Sequence, residues 1–101
     1  MSKISAKELK TLKEKHPQGA LLRVPNGKTF VDLFLKEMDR TTYEAASGMY
    51  QQDPLKASEV MLKNLTVGGD LETVVNNFDM FRSASDGLAE FIEVKKSVLI
   101  R

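Results

Sequence analysis

The sequence predicts an α+β fold: an N-terminal helix and a small antiparallel hairpin or sheet, packed against a C-terminal bundle of three to four helices. Two apolar runs, Leu21–Val24 and Phe30–Leu35, flank Asn26-Gly27, a strong hairpin signal. On either side of the hairpin, apolar residues recur at helical spacing. No linker, repeat or low-complexity segment interrupts the 101 residues. We therefore expect a single domain, residues 1–101, in which helices cover one face of the sheet.

The first predicted helix begins with Ser5-Ala6-Lys7-Glu8, which has the pattern of a capping box. It is expected to run to about Lys15, since His16-Pro17 disfavours further helix. Its few apolar residues are Leu9 and Leu12, and lysines surround them. We expect a helix that is mostly solvated.

The predicted hairpin turns at Asn26-Gly27, and a type I′ turn requires two positive φ angles there. Pro25 cannot donate a ladder hydrogen bond, so it is expected to end the first strand. The second strand alternates between a core face with Val31, Leu33 and Leu35 and an opposite face with Phe30, Asp32 and Phe34. Two alternatives follow for the second set: either both faces of the strand are covered, or Phe30 and Phe34 meet a partner.

Four helix starts are predicted after the hairpin. Thr41-Thr42-Tyr43-Glu44 resembles a capping box, although Asp39 could also cap this helix. Asp53-Pro54 starts the next helix, which Gly68-Gly69 ends, and Asp70 caps a short one with Leu71, Val74, Val75 and Phe78 on one stripe. The last is expected to begin near Ser83 or Ser85, with Ala84, Leu88, Phe91 and Ile92 inward. The tail Val98–Ile100 could extend that helix, add a strand or stay free.

Charge and composition exclude several functional classes. The net charge is +1, so bulk electrostatics favour neither nucleic acid nor membrane. Residues 1–40 carry nine Lys/Arg and five Asp/Glu, a net of +4, and residues 41–101 carry six and nine, a net of −3. The absence of cysteine excludes disulfides and thiol chemistry. With no apolar run near the roughly 20 residues that a membrane span needs, and no signal-peptide pattern, we expect a cytoplasmic protein.

The residues that commonly carry chemistry are isolated. His16, the one histidine, has no ligand or triad partner at a defined spacing. The carboxylate pair Glu37/Asp39 is explained by its place before a helix, where Asp39 can cap backbone N–H groups. The pair Glu90/Glu93 is explained as the solvent-exposed face of the last helix. Gly68-Gly69-Asp70 lacks the spacing of a phosphate loop. Arg40 either pairs with a helix carboxylate or is an exposed first helical residue. The sequence therefore predicts no catalytic, metal-binding or cofactor-binding site, and we expect no enzyme.

The run from Lys28 to Tyr43 resembles the strand-to-helix entry of small phage and prophage proteins of the tail assembly chaperone type. The helix from Ala57 to Leu65 and the loops Val67-Gly68-Gly69-Asp70 and Asp79-Met80-Phe81 resemble the corresponding parts of those proteins. The turn departs from their Pro-Arg form, since it carries Met38-Asp39 instead. The resemblance covers roughly residues 20–95.

This resemblance implies a non-catalytic protein of the bacterial host cytoplasm that binds a tape measure-like helical client and self-associates weakly along it. Such a role needs apolar surface that accepts a helix. The candidate partner-binding residues are Phe30, Phe34, Tyr43, Met49, Tyr50, Met61 and Phe81. The alternative is a small nucleic-acid-binding or regulatory module, whose basic face would combine the lysines of residues 3–15 with Arg23 and Lys28. A small enzyme, the third class, would need a polar pocket with converging carboxylates or the lone histidine.

Overall fold

The computed structural model describes residues 3–92 and confirms the α+β class. In chain order the elements are α1 (Ala6–Lys15), β1 (Ala20–Asn26), β2 (Thr29–Leu35), α2 (Arg40–Tyr50), α3 (Pro54–Leu65), β3 (Thr66–Gly69), α4 (Leu71–Val75) and α5 (Phe78–Ile92). The predicted order of helix, hairpin and helices is confirmed. The predictions for Glu93 and for the tail Val98–Ile100 lie outside the described residues.

The hairpin forms as expected, but its turn is one residue later than predicted. Asn26 pairs with Thr29, so Gly27 and Lys28 form the loop and β1 continues through Pro25. Gly27 has φ +63°, and none of the described non-glycine residues has a positive φ. A type I′ turn needs two positive angles, whereas one at the first central position is the pattern of type II′. Gly27 is therefore the first central residue of the turn, whereas the sequence predicted it to be the second.

A third strand, β3, was missed by the sequence analysis. The antiparallel sheet has the order β1-β2-β3, with β2 central, and β3 pairs Gly69 with Leu33 and Gly68 with Phe34. Helix α3 therefore ends at Leu65, and Gly68-Gly69 belongs to a strand rather than to a helix stop. Gly69 has φ +98°, and a Cβ there would collide with the backbone carbonyl oxygen of Asp32. Only glycine allows this close approach, which makes the short strand invisible to a pattern of alternating side chains.

Both faces of β2 are covered, so the expectation that helices cover one face was wrong. Its core face packs with α3, α4 and α5, and the cluster includes Val31, Leu33, Leu35, Met61, Leu62, Leu65, Val74, Met80, Ala84 and Leu88. On the opposite face Phe34 and Asp32 are buried. Leu12 of α1 contacts the position of Gly68 beside Phe34. Helix α1 therefore covers this second face, and of the two alternatives for Phe34 the structure supports burial.

The helix starts confirm three predicted aspartate caps and correct three other assignments. Asp39, Asp53 and Asp70 each accept a hydrogen bond from the backbone N–H three residues later, so Thr41 is not the cap of α2. Helix α5 begins at Phe78, well before the predicted serines, because the Asn77 side chain accepts from the N–H of Met80. Phe78 is therefore the exposed first residue of α5 and not part of the α4 stripe.

Candidate functional site

A groove lies between α2, α3 and α5. It encloses about 390 Å³ and is largely apolar. No charged side chain is among the described residues that line it. Its lining is Met38, Tyr43, Ala46, Ser47, Tyr50, Gln51, Ser58, Met61, Ser85, Leu88, Ala89 and Ile92.

The three helices each supply one part of this groove. Tyr43, Ala46 and Tyr50 recur at i, i+3 and i+7 and so form one stripe of α2. The small Ala46 is buried, whereas Tyr43 and Tyr50 are 58% and 52% exposed. Met61 of α3 and Leu88 of α5 are buried and form the floor. The groove therefore has a packed apolar base and two aromatic side chains that remain available to a ligand.

Three of the seven predicted partner-binding residues line the groove: Tyr43, Tyr50 and Met61. Met49 lies at the surface of α2 but outside the groove, with 36% exposure. Phe30 is half-buried, with the guanidinium of Arg23 stacked over its ring at 3.9 Å.

Phe34 and Phe81 are only 0% and 8% exposed. The expectation that they present apolar surface is corrected, because each packs into the interior of a small domain. Met61 is also buried, and it contributes to the groove only as part of the floor.

Sequence reasoning missed other residues of the groove. Leu88 and Ile92 were expected to face inward, but that pattern did not distinguish a core from the wall of a cleft. Met38 lies in the connection between β2 and α2 and carried no periodic signal. A groove between helices depends on how far apart they pack, and a single helix stripe does not contain that information.

The segment that forms the groove contains more acidic than basic residues. Residues 41–92, which include most of α2 and all of α3, α4 and α5, contain eight Asp/Glu and three Lys/Arg. One of these carboxylates, Glu44, is already paired with Arg40 on α2. Arg40 itself is 91% exposed, so it is an exposed first helical residue that pairs within its own helix and does not fix the joint to the hairpin. The net negative charge favours ligands that carry basic residues.

The main buried polar cluster lies on the other side of the sheet, beneath α1. The Asp32 carboxylate is 1% exposed and accepts hydrogen bonds from Arg23 Nε at 2.8 Å, Arg23 Nη2 at 3.2 Å and the backbone N–H of Ile4 at 3.2 Å. The hydrogen bonds from Arg23 lower the pKa of Asp32 below its ordinary value, against the opposing effect of burial. This carboxylate is held ionised and ties the segment before α1 to the sheet.

The remaining chemistry-bearing residues are dispersed. His16 Nδ1 lies 3.6 Å from the Glu37 carboxylate, and residues 3–92 contain no group of three or more His, Asp or Glu that could hold a metal ion. In the predicted basic face, Arg23 is engaged by Asp32 and Phe30, and Lys13 Nζ donates to the Gly19 carbonyl at 3.3 Å. Two members of that face are therefore already committed to contacts within the fold.

None of the described helices is both long and apolar enough to cross a membrane. No family model matches this chain, and no curated protein or solved structure matches it either.

Proposed function

We propose that this chain is a non-catalytic binding module of the phage or prophage tail assembly chaperone type, and that it binds a helical client in the groove between α2, α3 and α5. The observation that carries the proposal is this groove, with Tyr43 and Tyr50 half-exposed over a buried apolar floor. The resemblance of residues 28–43 to small phage proteins supplies the class of client.

The dimensions and chemistry of the groove suit the apolar stripe of an amphipathic helix. Its volume of about 390 Å³ lies within the range of about 300–1,000 Å³ typical of ligand clefts. Tyrosine is enriched where binding energy concentrates, because it offers a large rigid apolar area with a polar tip. Met38 and Met61 add flexible side chains that adapt to different partner surfaces. The lining thus fits a series of related helical segments better than one rigid small molecule.

The client that this chemistry favours is a helix with an apolar stripe and basic flanks, since the surrounding helices carry net negative charge. In the proposed role that client is a tape measure-like protein, kept soluble in the bacterial cytoplasm by several weakly associating copies of this chain. The proposal includes no catalytic step, cofactor or metal.

Intrinsic fluorescence provides a direct test, because the chain has two tyrosines and no tryptophan, and both tyrosines line the groove. The probe is an amidated peptide of about 18 residues, Leu and Ala on one helical face and Lys on the other, about five helical turns long. We expect the tyrosine emission to change and then level off as this peptide is added, and to stay constant when a scrambled peptide of the same composition is added. Equal responses to both peptides would contradict binding of an amphipathic helix.

A matched pair of variants localises the binding. Tyr50→Ser removes an exposed groove aromatic and leaves Tyr43 as the reporter, whereas Phe78→Ser removes a 60% exposed aromatic outside the groove. We expect Tyr50→Ser to weaken peptide binding by about tenfold, as for a typical interface aromatic, and Phe78→Ser to leave it unchanged. Equal effects would reject the groove as the site. Salt-sensitive binding of duplex DNA without peptide binding would instead favour the nucleic-acid module.

A further inference from the structure

Helix α1 covers the buried residues Phe34 and Asp32 on the second face of the sheet, although it is itself only lightly held. None of its ten described residues is buried, and Leu9 and Leu12 are half-exposed. Beneath it, Phe34 is 0% and Asp32 is 1% exposed. Another element must pack on this face, because exposing Phe34 and the apolar surface around the Asp32 carboxylate to water would lower the stability of the fold.

The contacts between α1 and the sheet are made by side chains and backbone of these two elements. They do not depend on the segment that joins α1 to β1. Leu12 contacts the position of Gly68 beside Phe34, and the N–H of Ile4 donates to the Asp32 carboxylate. The side chain of Ile4 is 5% exposed, so it is the main apolar anchor of this segment. Any copy of residues 4–15 can make the same contacts.

The segment between α1 and β1 is short, and its backbone conformation is restricted. Four residues, His16-Pro17-Gln18-Gly19, join the end of α1 to the start of β1. Pro17 has a fixed φ, and a Cβ at Gly19 would meet the Leu35 carbonyl oxygen at 2.6 Å and the Phe34 ring at 2.7 Å, so this end of the link is tightly packed. Short, restricted hinges next to a terminal element favour its exchange between copies.

We propose that residues 4–15 exchange between two copies of this chain, so that Asp32 of each copy accepts the Ile4 N–H of the other. The occupant of the face is α1 of a second copy, since α1 shows directly which helix this surface accepts. The exchange is independent of the groove and its client, because Tyr43 and Tyr50 lie on other elements. It supplies a physical basis for self-association without a new surface.

The experiment uses the complete chain, which contains no cysteine. One preparation carries Leu12→Cys and a second, with an affinity tag, carries Gly68→Cys. The Leu12 terminal carbon lies 2.7 Å from the Cβ position at Gly68, so seating α1 on the sheet brings the two cysteine side chains next to each other. The two chains are mixed, unfolded, refolded together and oxidised. A disulfide between a tagged and an untagged chain then reports exchange.

The matched control replaces Leu12→Cys with Lys10→Cys, an exposed position on α1 that is subject to the same chance collisions. We expect the Leu12/Gly68 mixture to form at least about tenfold more mixed disulfide than the Lys10/Gly68 mixture. Equal yields would overturn the proposal. Leu12→Cys and Gly68→Cys placed in one chain must give an intrachain disulfide at high dilution, which shows that α1 seats as described.

Light scattering on the unsubstituted chain gives a second readout that does not depend on cysteine. After refolding at about 1 mM, where exchange is favoured, we expect a dimer, and after refolding at high dilution a monomer. Inserting Gly-Gly-Ser between Gln18 and Gly19 relaxes the hinge and should raise the dimer dissociation constant by about tenfold. A monomer under all conditions would overturn the proposal. Tyr50→Ser should not change the dimer fraction, which separates this test from that of the groove.

Discussion

Two ion pairs in this fold have the same shortest contact distance but differ in burial and in the number of hydrogen bonds to the carboxylate, so a comparison of the two tests what a buried, fully hydrogen-bonded carboxylate contributes. Arg23 Nε–Asp32 and Arg40 Nε–Glu44 both measure 2.8 Å. The Asp32 side chain is 1% exposed, whereas Glu44 is 63% exposed. The perturbation is the same in both cases: Asp32→Asn and Glu44→Gln each exchange a carboxylate for an amide of similar size.

The expected effects differ because of what each carboxylate accepts. Asp32 accepts three hydrogen bonds, and an amide in its place would turn two donors of its own toward Arg23 or Ile4. Hydrogen bonds to charged groups contribute about 1.5–3 kcal/mol each and do not add fully, so we expect Asp32→Asn to lower the unfolding free energy by about 3 kcal/mol. That corresponds to a Tm about 10–20 °C lower for a chain of this size. Glu44→Gln should leave Tm unchanged within error, as for most exposed pairs.

Urea unfolding followed by circular dichroism measures both variants, and a double-mutant cycle with Arg23→Met and Arg40→Met isolates each pair. We expect clear coupling between Arg23 and Asp32 and almost none between Arg40 and Glu44. Equal losses of unfolding free energy in the two carboxylate variants would contradict a special contribution from the buried pair. So would an Arg23→Met variant that lowers the unfolding free energy as much in the Asp32→Asn background as in the wild type.

Three further predictions concern pH, glycine positions and capping. The pKa of Asp32 is lowered in the folded state, so its contribution to the unfolding free energy is complete above its ordinary pKa of 3.8 and is lost as the pH falls through the folded pKa. In urea titrations at a series of pH values, Asp32→Asn should therefore lose less stability toward acid than the wild type. Parallel plots of unfolding free energy against pH for the two proteins would contradict this assignment. Gly48→Ala, in open space on α2, should raise the unfolding free energy by about 0.5–1 kcal/mol, whereas Gly69→Ala, with φ +98° against the Asp32 carbonyl, should lower it by about 2–3 kcal/mol; equal signs in thermal melts would be inconsistent with this geometry. Asp53→Ala removes the bond to the Lys56 N–H and should lower Tm by about 5 °C, measured by calorimetry, with Asp53→Asn as the control that keeps the cap.

Short-range features of the fold could be predicted because their signals lie within a few residues. The caps at Ser5, Asp53 and Asp70 each place a side-chain acceptor three residues before the N–H that it binds, so residue type and spacing suffice. The alternation of β2 identified its core face for the same reason. The α+β class followed from these local elements.

Long-range features could not be predicted in the same way. The strand β3 is recognisable only because β2 lies beside it, since its glycines are required by the approach of the Asp32 carbonyl and not by any pattern of their own. Among the seven candidate partner residues, sequence alone could not separate Tyr43 and Tyr50, which remain exposed, from Phe34, which is buried. All three are large and aromatic, and their exposure depends on which element packs over each of them.

All the elements except β3, and most of the helix starts, could therefore be predicted from the sequence, because hydrogen bonding and amphipathic spacing act over one or two helical turns. Three features became visible only in the folded domain: α1 covers the second face of the sheet, Arg23 and Ile4 converge on Asp32, and α2, α3 and α5 leave a groove between them. These outcomes depend on distances between segments far apart in the chain. Such distances are determined by the packing of the whole domain and not by local periodicity.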